Sequence, residues 1–367
     1  MGNQWSSHRF LIFMFKKLFK YFFTILIMGF SLSYLFFSEK NYYKGSISDH
    51  FDGKKFFNPN SDDPLKKNFT SYYYAKMKYE AENGKSIWVD NIIETKNFIP
   101  NKNINNNKIS ITYVGHSTFL LQFNNLNILT DPVWSNRASP VSFLGPKRSK
   151  TPGIKFTDLP KIDIVLISHS HYDHLDIPTI KKLRDHSNPQ IYSGLGMCYY
   201  LNSIKKLKLN CQEMDWNDKI KFDNNLTINF LRAKHWSKRA MFGNNATLWG
   251  AFALETSLGN LYFAGDTGYD SHFKEAQARF KKFKIALLPI GAYKPQDFMI
   301  RHHISPMQAV IAHQELNAEK SIAMHFETFK LASDNFKDPA NDLIKYRQEF
   351  KIENDFLMME AGENREF

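Results

Sequence analysis

The sequence predicts an α/β domain over residues 108–360, with two packed β-sheets and helices outside. Two blocks of short β-rich runs are each followed by helical stretches, an order that favours two sheets covered by helices. The first block contains KISITYV, STFLLQF, NLNILTD and KIDIVLIS, and the second contains LTINFLRA, TLWGAFALET, NLYFAGD and KIALLPIG. Because we find no internal repeat and no long linker within 108–360, we predict one domain.

The helical stretches complete this fold class. They are predicted at roughly 177–186, 196–206, 271–282, 306–317 and 338–350. The fourth has the clearest start: Ser305 can be the N-cap, Pro306 the first helical residue and Gln308 the capping-box partner. A helix N-terminus of this kind is favourable to anions.

Composition sets limits on function. Hydrophobic residues make up 43% of the chain, which favours a folded protein over a disordered one. The formal charge of +12 indicates attraction to nucleic acid, anionic lipid or an anionic substrate. The two cysteines, Cys198 and Cys211, cannot build a cysteine-rich zinc site. They could form a disulfide, but we favour two free buried thiols.

The N-terminal third differs from the rest. A basic segment over 1–20 precedes an uncharged apolar stretch over 21–37, which we interpret as a transmembrane signal-anchor, with a cleaved signal peptide as the alternative. The protein is then expected to be anchored in a membrane. In a bacterium, the catalytic domain would be periplasmic or otherwise extracytoplasmic, although the sequence decides the side of the membrane only weakly. Residues 38–107 are polar, which predicts a stem and an N-terminal arm. Residues 361–367 are predicted to form a short C-terminal tail.

The densest chemical signal is SHSHYDHLD at 168–176, directly after a predicted buried strand. His169 and His171 project to the same side of extended backbone, and a turn after Tyr172 would bring Asp173 and His174 toward them. Imidazole and carboxylate ligands suit zinc, with iron or manganese as alternatives. A hydrogen-bonded polar loop is the competing interpretation.

Three more ligand-type residues each follow an apolar run that resembles a strand. His235 follows LTINFLRA, Asp266 follows NLYFAG and His325 follows SIAM. Taken singly, each could be a core histidine or a turn aspartate, but together with the first cluster they predict one metal site. The Asp-Thr-Gly at 266–268 does not indicate an aspartic protease, because that chemistry needs two such aspartates.

These residues resemble the metallo-β-lactamase superfamily, whose HxHxDH motif corresponds to residues 169–174. The flanking stretches resemble the branch of N-acyl-phosphatidylethanolamine-hydrolysing phospholipase D and its bacterial relatives. They are HFDGKKFFNP, YVGHSTFLLQ, TDPVW, KHWSKR, LWGAF, GDTGYD, PIGAY and HFETF. The resemblance implies a four-layer αββα sandwich with two zinc ions. One metal would be held by His169, His171 and His235, and the other by Asp173, His174 and His325, with Asp266 as the bridge.

The same resemblance gives roles to residues beyond the ligands. Asp131 would support the metal-binding loop, and His116 would do likewise or be structural. His303 corresponds to a family histidine near the substrate phosphate, the alternative being a solvated helix-capping residue. Tyr172 belongs to the signature and is predicted to contact substrate. With Asp173 and Asp266, His303 completes the predicted catalytic set.

The implied function is a zinc-dependent phosphodiesterase that uses a metal-bound hydroxide. N-acyl-phosphatidylethanolamine-like phospholipids would give phosphatidic acid and N-acylethanolamine. A phospholipid substrate and a membrane are the expected partners. The sequence does not decide whether the protein forms a homodimer. Nucleic acid is not expected, because 108–360 leaves no room for a recognition module. A lactone-type substrate, a nuclease and a non-catalytic binding protein are the competing hypotheses, and the intact ligand set argues against the last.

Overall fold

The structure is a computed structural model, and it describes residues 14–24, 26, 38, 40–59, 69–102, 104, 107–240 and 243–367. Two seven-stranded sheets form the body of this part of the chain. The first sheet has the spatial order β14 (Asn364–Glu366), β1 (Ser110–Gly115), β2 (Thr118–Phe123), β3 (Leu126–Thr130), β4 (Ile164–Ile167), β5 (Gln190–Gly194) and β6 (Cys211–Met214). The second has the order β13 (Phe356–Leu357), β12 (Ala318–Met324), β11 (Phe283–Pro289), β10 (Leu261–Phe263), β9 (Ala251–Thr256), β8 (Leu226–Leu231) and β7 (Lys219–Lys221).

The helices are short. After an N-terminal helix described over 14–24, they are α1 (Phe69–Asn83), α2 (Ile177–His186), α3 (Met197–Tyr199, continued by a π turn over Tyr200–Ile204), α4 (His272–Phe280), α5 (Gln296–Met299), α6 (Pro306–Glu315) and α7 (Asp338–Glu349), with a 3-10 turn at Phe156–Asp158. Ser305 caps α6: its hydroxyl accepts from the Gln308 backbone N–H, and the Gln308 side chain accepts from the Ser305 N–H. The predicted capping box is therefore confirmed.

Side-chain alternation along the strands assigns the two faces of the first sheet. On β2, Phe119 and Leu121 are buried in the cluster that also contains the strands of the second sheet. Leu120, between them, points the other way and joins the cluster that contains Ile180 and Leu183 of α2. On the second sheet, α6 packs against β11 and β12. The predicted α/β architecture of two packed sheets is confirmed.

Parallel pairing places the chemistry at strand ends. Strands β3 to β6 run parallel to one another, as do β10 to β13. Because the carboxyl ends of parallel strands meet at one edge of a sheet, the residues that follow them are gathered there. His169 comes just after β4, Asp266 after β10 and His325 after β12.

The structure does not support the transmembrane signal-anchor predicted over 21–37. Among the residues that the structure describes, no helix combines the length and the apolar composition needed to cross a bilayer. The N-terminal helix is described over 14–24 and includes Lys16, Lys17 and Lys20, whereas a span needs about 20 predominantly apolar residues. Residues 27–37 lie outside the described part of the chain. The predicted membrane-anchored, extracytoplasmic location is corrected with it.

The two ends of the predicted domain also need correction. Phe51 and Phe56, within the predicted stem, are 2% and 1% exposed and belong to the main core. Residues 364–366, within the predicted tail, form β14 and pair antiparallel with β1. Polar composition around Phe51 and the shortness of the tail conceal these contacts, since both depend on partners far away in sequence.

Cys198 and Cys211 form a disulfide, which corrects our preference for two free buried thiols. Cys198 lies in α3, after β5, and Cys211 begins β6, the neighbour of β5 in the sheet. This adjacency places their Cα atoms 5.5 Å apart, within the usual range for a disulfide. Both residues are partly exposed.

Candidate metal centre

The loop after β4 is fixed by a buried carboxylate. Asp131, just past β3, has no exposed surface. Its Oδ1 accepts from the Ser168 backbone N–H at 2.7 Å, and its Oδ2 accepts from the Ser168 hydroxyl and from His174 Nδ1, both at 2.6 Å. These bonds hold both ends of the 168–174 segment.

Three ring nitrogens converge on one side of this loop. His169 Nε2 lies 2.8 Å from His171 Nδ1, and His235 Nε2 lies 3.2 Å from the same atom. His235 Nδ1 donates to the His302 carbonyl at 2.8 Å, so its Nε2 carries a lone pair. The Ser168 hydroxyl donates its hydrogen to Asp131, so it accepts from His169 Nδ1, which lies 2.9 Å away. Because Nδ1 then carries the proton of His169, its Nε2 also carries a lone pair.

One proton on His171 cannot form hydrogen bonds with the lone pairs of both His169 and His235. His171 Nδ1 has at most one proton to offer to two lone pairs, and His171 Nε2 is buried without a hydrogen-bond partner among the described residues. A cation at the point of convergence would accept all three lone pairs. The three histidines therefore fit a metal with imidazole ligands.

A second group faces the first. His174 Nε2 lies 3.3 Å from Asp173 Oδ2, and His325 Nε2 lies at the same distance from that oxygen. Because His174 donates through Nδ1, its neutral form has a lone pair on Nε2, and this atom faces carboxylate oxygens. Electron pairs of this kind repel unless a proton or a cation lies between them, and the donor set of two imidazoles and a carboxylate again suits a divalent metal.

Asp266 lies between the two groups. Its Oδ2 is 3.2 Å from His174 Nε2 and 3.1 Å from His325 Nε2. On the other side, it is 3.9 Å from His169 Nε2 and 3.8 Å from His235 Nε2. One carboxylate oxygen thus lies within reach of both candidate metal positions, and Asp266 Oδ1 has no hydrogen-bond partner in the described chain.

The electrostatics of the site favour positive charge at this carboxylate. Burial alone would raise the pKa of Asp266, but the imidazoles of His174 and His325 outweigh it and hold the pKa of the carboxyl well below its usual range. Burial and the neighbouring His174 lower the pKa of His169 well below its ordinary value. Burial opposes protonation of His174 and His325, but Asp266 and Asp173 raise the pKa of His174 well above its ordinary value and that of His325 to about 9. A metal cation bound here would take the place of those protons beside the buried carboxylates.

His116 contacts both Asp173 and His325 of the second group. Its Nε2 lies 2.9 Å from Asp173 Oδ2, and its carbonyl accepts from the His325 N–H at 2.9 Å. The residue is 1% exposed and has a φ of 58°. It therefore orients one acidic and one imidazole group, and burial lowers its own pKa to about 3.

His303 lies at the open side of the centre. Its Nδ1 is 3.9 Å from Asp266 Oδ2, and its ring is 5.2 Å from that of His235 and 5.4 Å from that of His325. Nδ1 is buried without a hydrogen-bond partner among the described residues, and burial lowers the pKa of the imidazole to about 4. The backbone carbonyl of the neighbouring His302 accepts from His235 Nδ1.

Tyr172 does not contact the ligand atoms in any way that the structure describes. Its hydroxyl donates to the Arg239 carbonyl at 2.9 Å, and the Arg239 guanidinium lies 3.9 Å from its ring centroid. Sequence reasoning missed Arg239, which is 8% exposed and donates to the Ser170 carbonyl inside the ligand loop. It also missed Trp236, whose ring is 4.5 Å from that of His171. The KHWSKR stretch was the available signal for both.

The comparisons with known proteins agree with this geometry. A model described as a beta-lactamase superfamily domain matches residues 126–326. The N-acyl-phosphatidylethanolamine-hydrolyzing phospholipase D 1 of Caenorhabditis elegans is 36% identical over 265 residues, covering 69% of this chain and 74% of that protein. The mitochondrial N-acyl-phosphatidylethanolamine-hydrolyzing phospholipase D of Saccharomyces cerevisiae is 35% identical over 239 residues, covering 63% of this chain and 50% of its own.

Among solved structures, a metallo hydrolase from the archaeon Ignicoccus hospitalis has a TM-score of 0.53 at 22% identity. The match covers 71% of this chain and 98% of that one, and it is a likeness of fold alone. The family match spans β3 to the residues just past β12 and includes every predicted metal ligand. This chain belongs to the metallo-β-lactamase superfamily, as a metal-dependent hydrolase that resembles N-acyl-phosphatidylethanolamine-hydrolysing phospholipase D.

Proposed function

We propose that the protein is a dinuclear zinc phosphodiesterase of phospholipase D type. Its substrates would be N-acyl-phosphatidylethanolamine-like phospholipids. The observation that carries the two-metal proposal is the position of Asp266 Oδ2, between 3.1 and 3.9 Å from ring nitrogens of both histidine groups. The substrate class is supported by the relatives in worm and yeast, whose names state that activity.

The proposed reaction is hydrolysis of a phosphodiester. Water adds to phosphorus, the P–O bond to the N-acylethanolamine breaks, and the products are phosphatidic acid and N-acylethanolamine. Two divalent metals, when bound, would supply Lewis acidity and a lowered pKa for water. The residues that would hold them are His169, His171 and His235 on one side and Asp173, His174 and His325 on the other, with Asp266 shared.

Residues outside the ligand set would orient the reacting groups. In our proposal, neutral His303 donates a hydrogen bond from Nδ1 to a phosphoryl oxygen, because that atom is buried beside Asp266 and lacks a partner among the described residues. Asp131 and the His302 carbonyl fix the unprotonated nitrogens of His174 and His235 toward the centre. Such bonds to a ligand histidine set both its tautomer and its ring direction.

Assay of the detergent-solubilised, metal-loaded protein tests this proposal. Three substrates are compared: N-acyl-phosphatidylethanolamine, a lactone and a nucleotide phosphodiester. We expect release of N-acylethanolamine and phosphatidic acid, with slow turnover of the other two. No phospholipid turnover by protein that holds its full complement of metal would contradict the proposed substrate, and lactone turnover in its place would favour the competing hypothesis.

A further inference from the structure

The segment 139–145, which we name the apex loop, is closed at its base. Arg137 and Lys147 pair as an antiparallel bridge, and the Ala138 N–H donates to the Pro146 carbonyl at 3.0 Å. Arg137 Nη1 donates to the Gly145 carbonyl at 2.6 Å. Gly145 has a φ of 97°, a backbone conformation that suits glycine. These contacts fix the two ends of the loop to each other.

The tip of the apex loop exposes large apolar side chains. Phe143 is 78% exposed, Leu144 is 66% exposed and Val141 is 37% exposed. Single exposed apolar residues are ordinary, whereas a cluster on one protruding loop indicates an interaction surface. Since the base of the loop is fixed by hydrogen bonds, these side chains are presented outward by the fold.

The sequence on both sides of the apex loop is basic. Residues 132–157 contain five basic residues and no acidic residue. Two of the five are engaged in contacts within the protein. Arg148 is buried and donates to the Val133 carbonyl, and Lys150 forms ion pairs with Glu327 and Glu360. Of the remaining three, Lys147 at the base of the loop is exposed. An apolar tip above basic residues complements an anionic lipid surface.

The apex loop stands beside the metal centre. Ala138, at its base, is buried in a small cluster with Val133 and Phe329, and Tyr172 packs against this cluster. The Phe329 ring lies 5.2 Å from the ring of His116, which in turn contacts Asp173. The base of the apex loop is therefore linked to the metal centre through the contacts of Phe329 and His116.

We propose that the apex loop docks the protein on the surface of an anionic phospholipid bilayer. Phe143 and Leu144 would enter the headgroup region, and Lys147 would contact lipid phosphates. The inference deepens the proposed function and rests on it for its biological meaning, but docking can be measured without turnover. A second copy of this chain is the other occupant that an apolar loop could bind, and the test below separates the two.

The test is co-sedimentation of the full chain with vesicles of phosphatidylcholine, with and without phosphatidylglycerol. We expect binding to vesicles with phosphatidylglycerol and at least a tenfold loss, roughly, in the double variant Phe143→Ser/Leu144→Ser. Lys147→Gln should weaken binding about fivefold at low salt. The matched control is Ile87→Ser/Ile99→Ser, which removes two equally exposed apolar residues (77% and 71%) elsewhere and should bind as the parent does.

Two results would overturn the proposal. One is unchanged vesicle binding in the Phe143→Ser/Leu144→Ser variant. The other is a parent dimer, seen by analytical ultracentrifugation, that the same variant converts to monomer without a change in vesicle binding. Turnover of bis(p-nitrophenyl) phosphate, a soluble phosphodiester, monitors folding and should be equal in all variants. Loop-dependent vesicle binding without phospholipid hydrolysis would contradict the proposed substrate and leave the docking surface intact, so the two failures are distinguishable.

Discussion

The first sheet contributes four ligand-type residues to the centre from a single loop after β4, whereas the second contributes His235, Asp266 and His325 from three separate strand ends. The supports differ as well. In the first half, the side chain of Asp131 holds His174 and Ser168. In the second half, a backbone carbonyl, that of His302, holds His235. One half is thus sensitive to its supporting side chains, and the other to the path of its loops.

Asp266 is shared by the two halves of the centre, because its carboxylate lies within reach of both ligand groups. Asp266→Ala should reduce bound metal from about two equivalents to one or fewer and lower activity on the order of a thousandfold or more. Metal content measured by plasma mass spectrometry, with kcat, checks the prediction. Asp270→Ala is the matched control, since Asp270 lies in the same loop but pairs with Arg232. Full metal retention in Asp266→Ala would remove Asp266 from the bridging role.

His303 belongs to the second half but lies outside the proposed ligand set. His303→Ala should lower kcat by about a hundredfold, the usual loss for a group that hydrogen-bonds the developing charge, with metal content unchanged. The reason is that Nδ1 faces the centre without a partner among the described residues. Steady-state kinetics and metal analysis together check this. Loss of metal in His303→Ala would instead make His303 a ligand.

Asp131 tests the side-chain support of the first half. Asp131→Asn should lower metal affinity by roughly 10- to 100-fold, since a support of this type fixes ligand tautomer and direction. Asparagine also tolerates the φ of 31° at this position, which limits the loss of folding stability. Competition with a chelator measures affinity. Asp163→Asn is the control: its carboxylate accepts from the Asn127 backbone N–H and pairs with Lys161 at 3.6 Å. Equal affinities in the two variants would contradict the supporting role.

His302 tests the backbone support of the second half and has the smallest expected effect. His302→Ala keeps the carbonyl that accepts from His235, so metal affinity should stay within about twofold of the parent, compared with the 10- to 100-fold loss expected at Asp131. The same chelator competition measures it. A loss as large as that in Asp131→Asn would show that the His302 side chain is needed as well, and the contrast between the halves would fail.

Much of the centre could be predicted because its first half is local. His169 to His174 are adjacent in the sequence, and strand alternation already places two of them on one side. The capping box at Ser305 and the helix over 177–186 are local for the same reason. Asp266 and His325 were found only because each directly follows an apolar run.

The remainder could not be predicted because it depends on contacts between distant segments. The pairing of 364–366 with β1, the burial of Phe51 and the adjacency of Cys198 to Cys211 all follow from neighbours within the folded sheets. The membrane anchor over 21–37 was predicted from hydropathy alone, and residues 25 and 27–37 of that stretch lie outside the described part of the chain. The His302 carbonyl carries no side-chain signal at all, so its contact with His235 appears only in the structure.

Anomalous diffraction from crystals of the zinc-loaded protein would locate the bound metals. We expect two zinc peaks, one on either side of Asp266. One should be bounded by His169, His171 and His235, and the other by Asp173, His174 and His325. A single peak, or a second peak away from Asp173 and His174, would contradict the two-metal centre from which the proposed phosphodiesterase is argued.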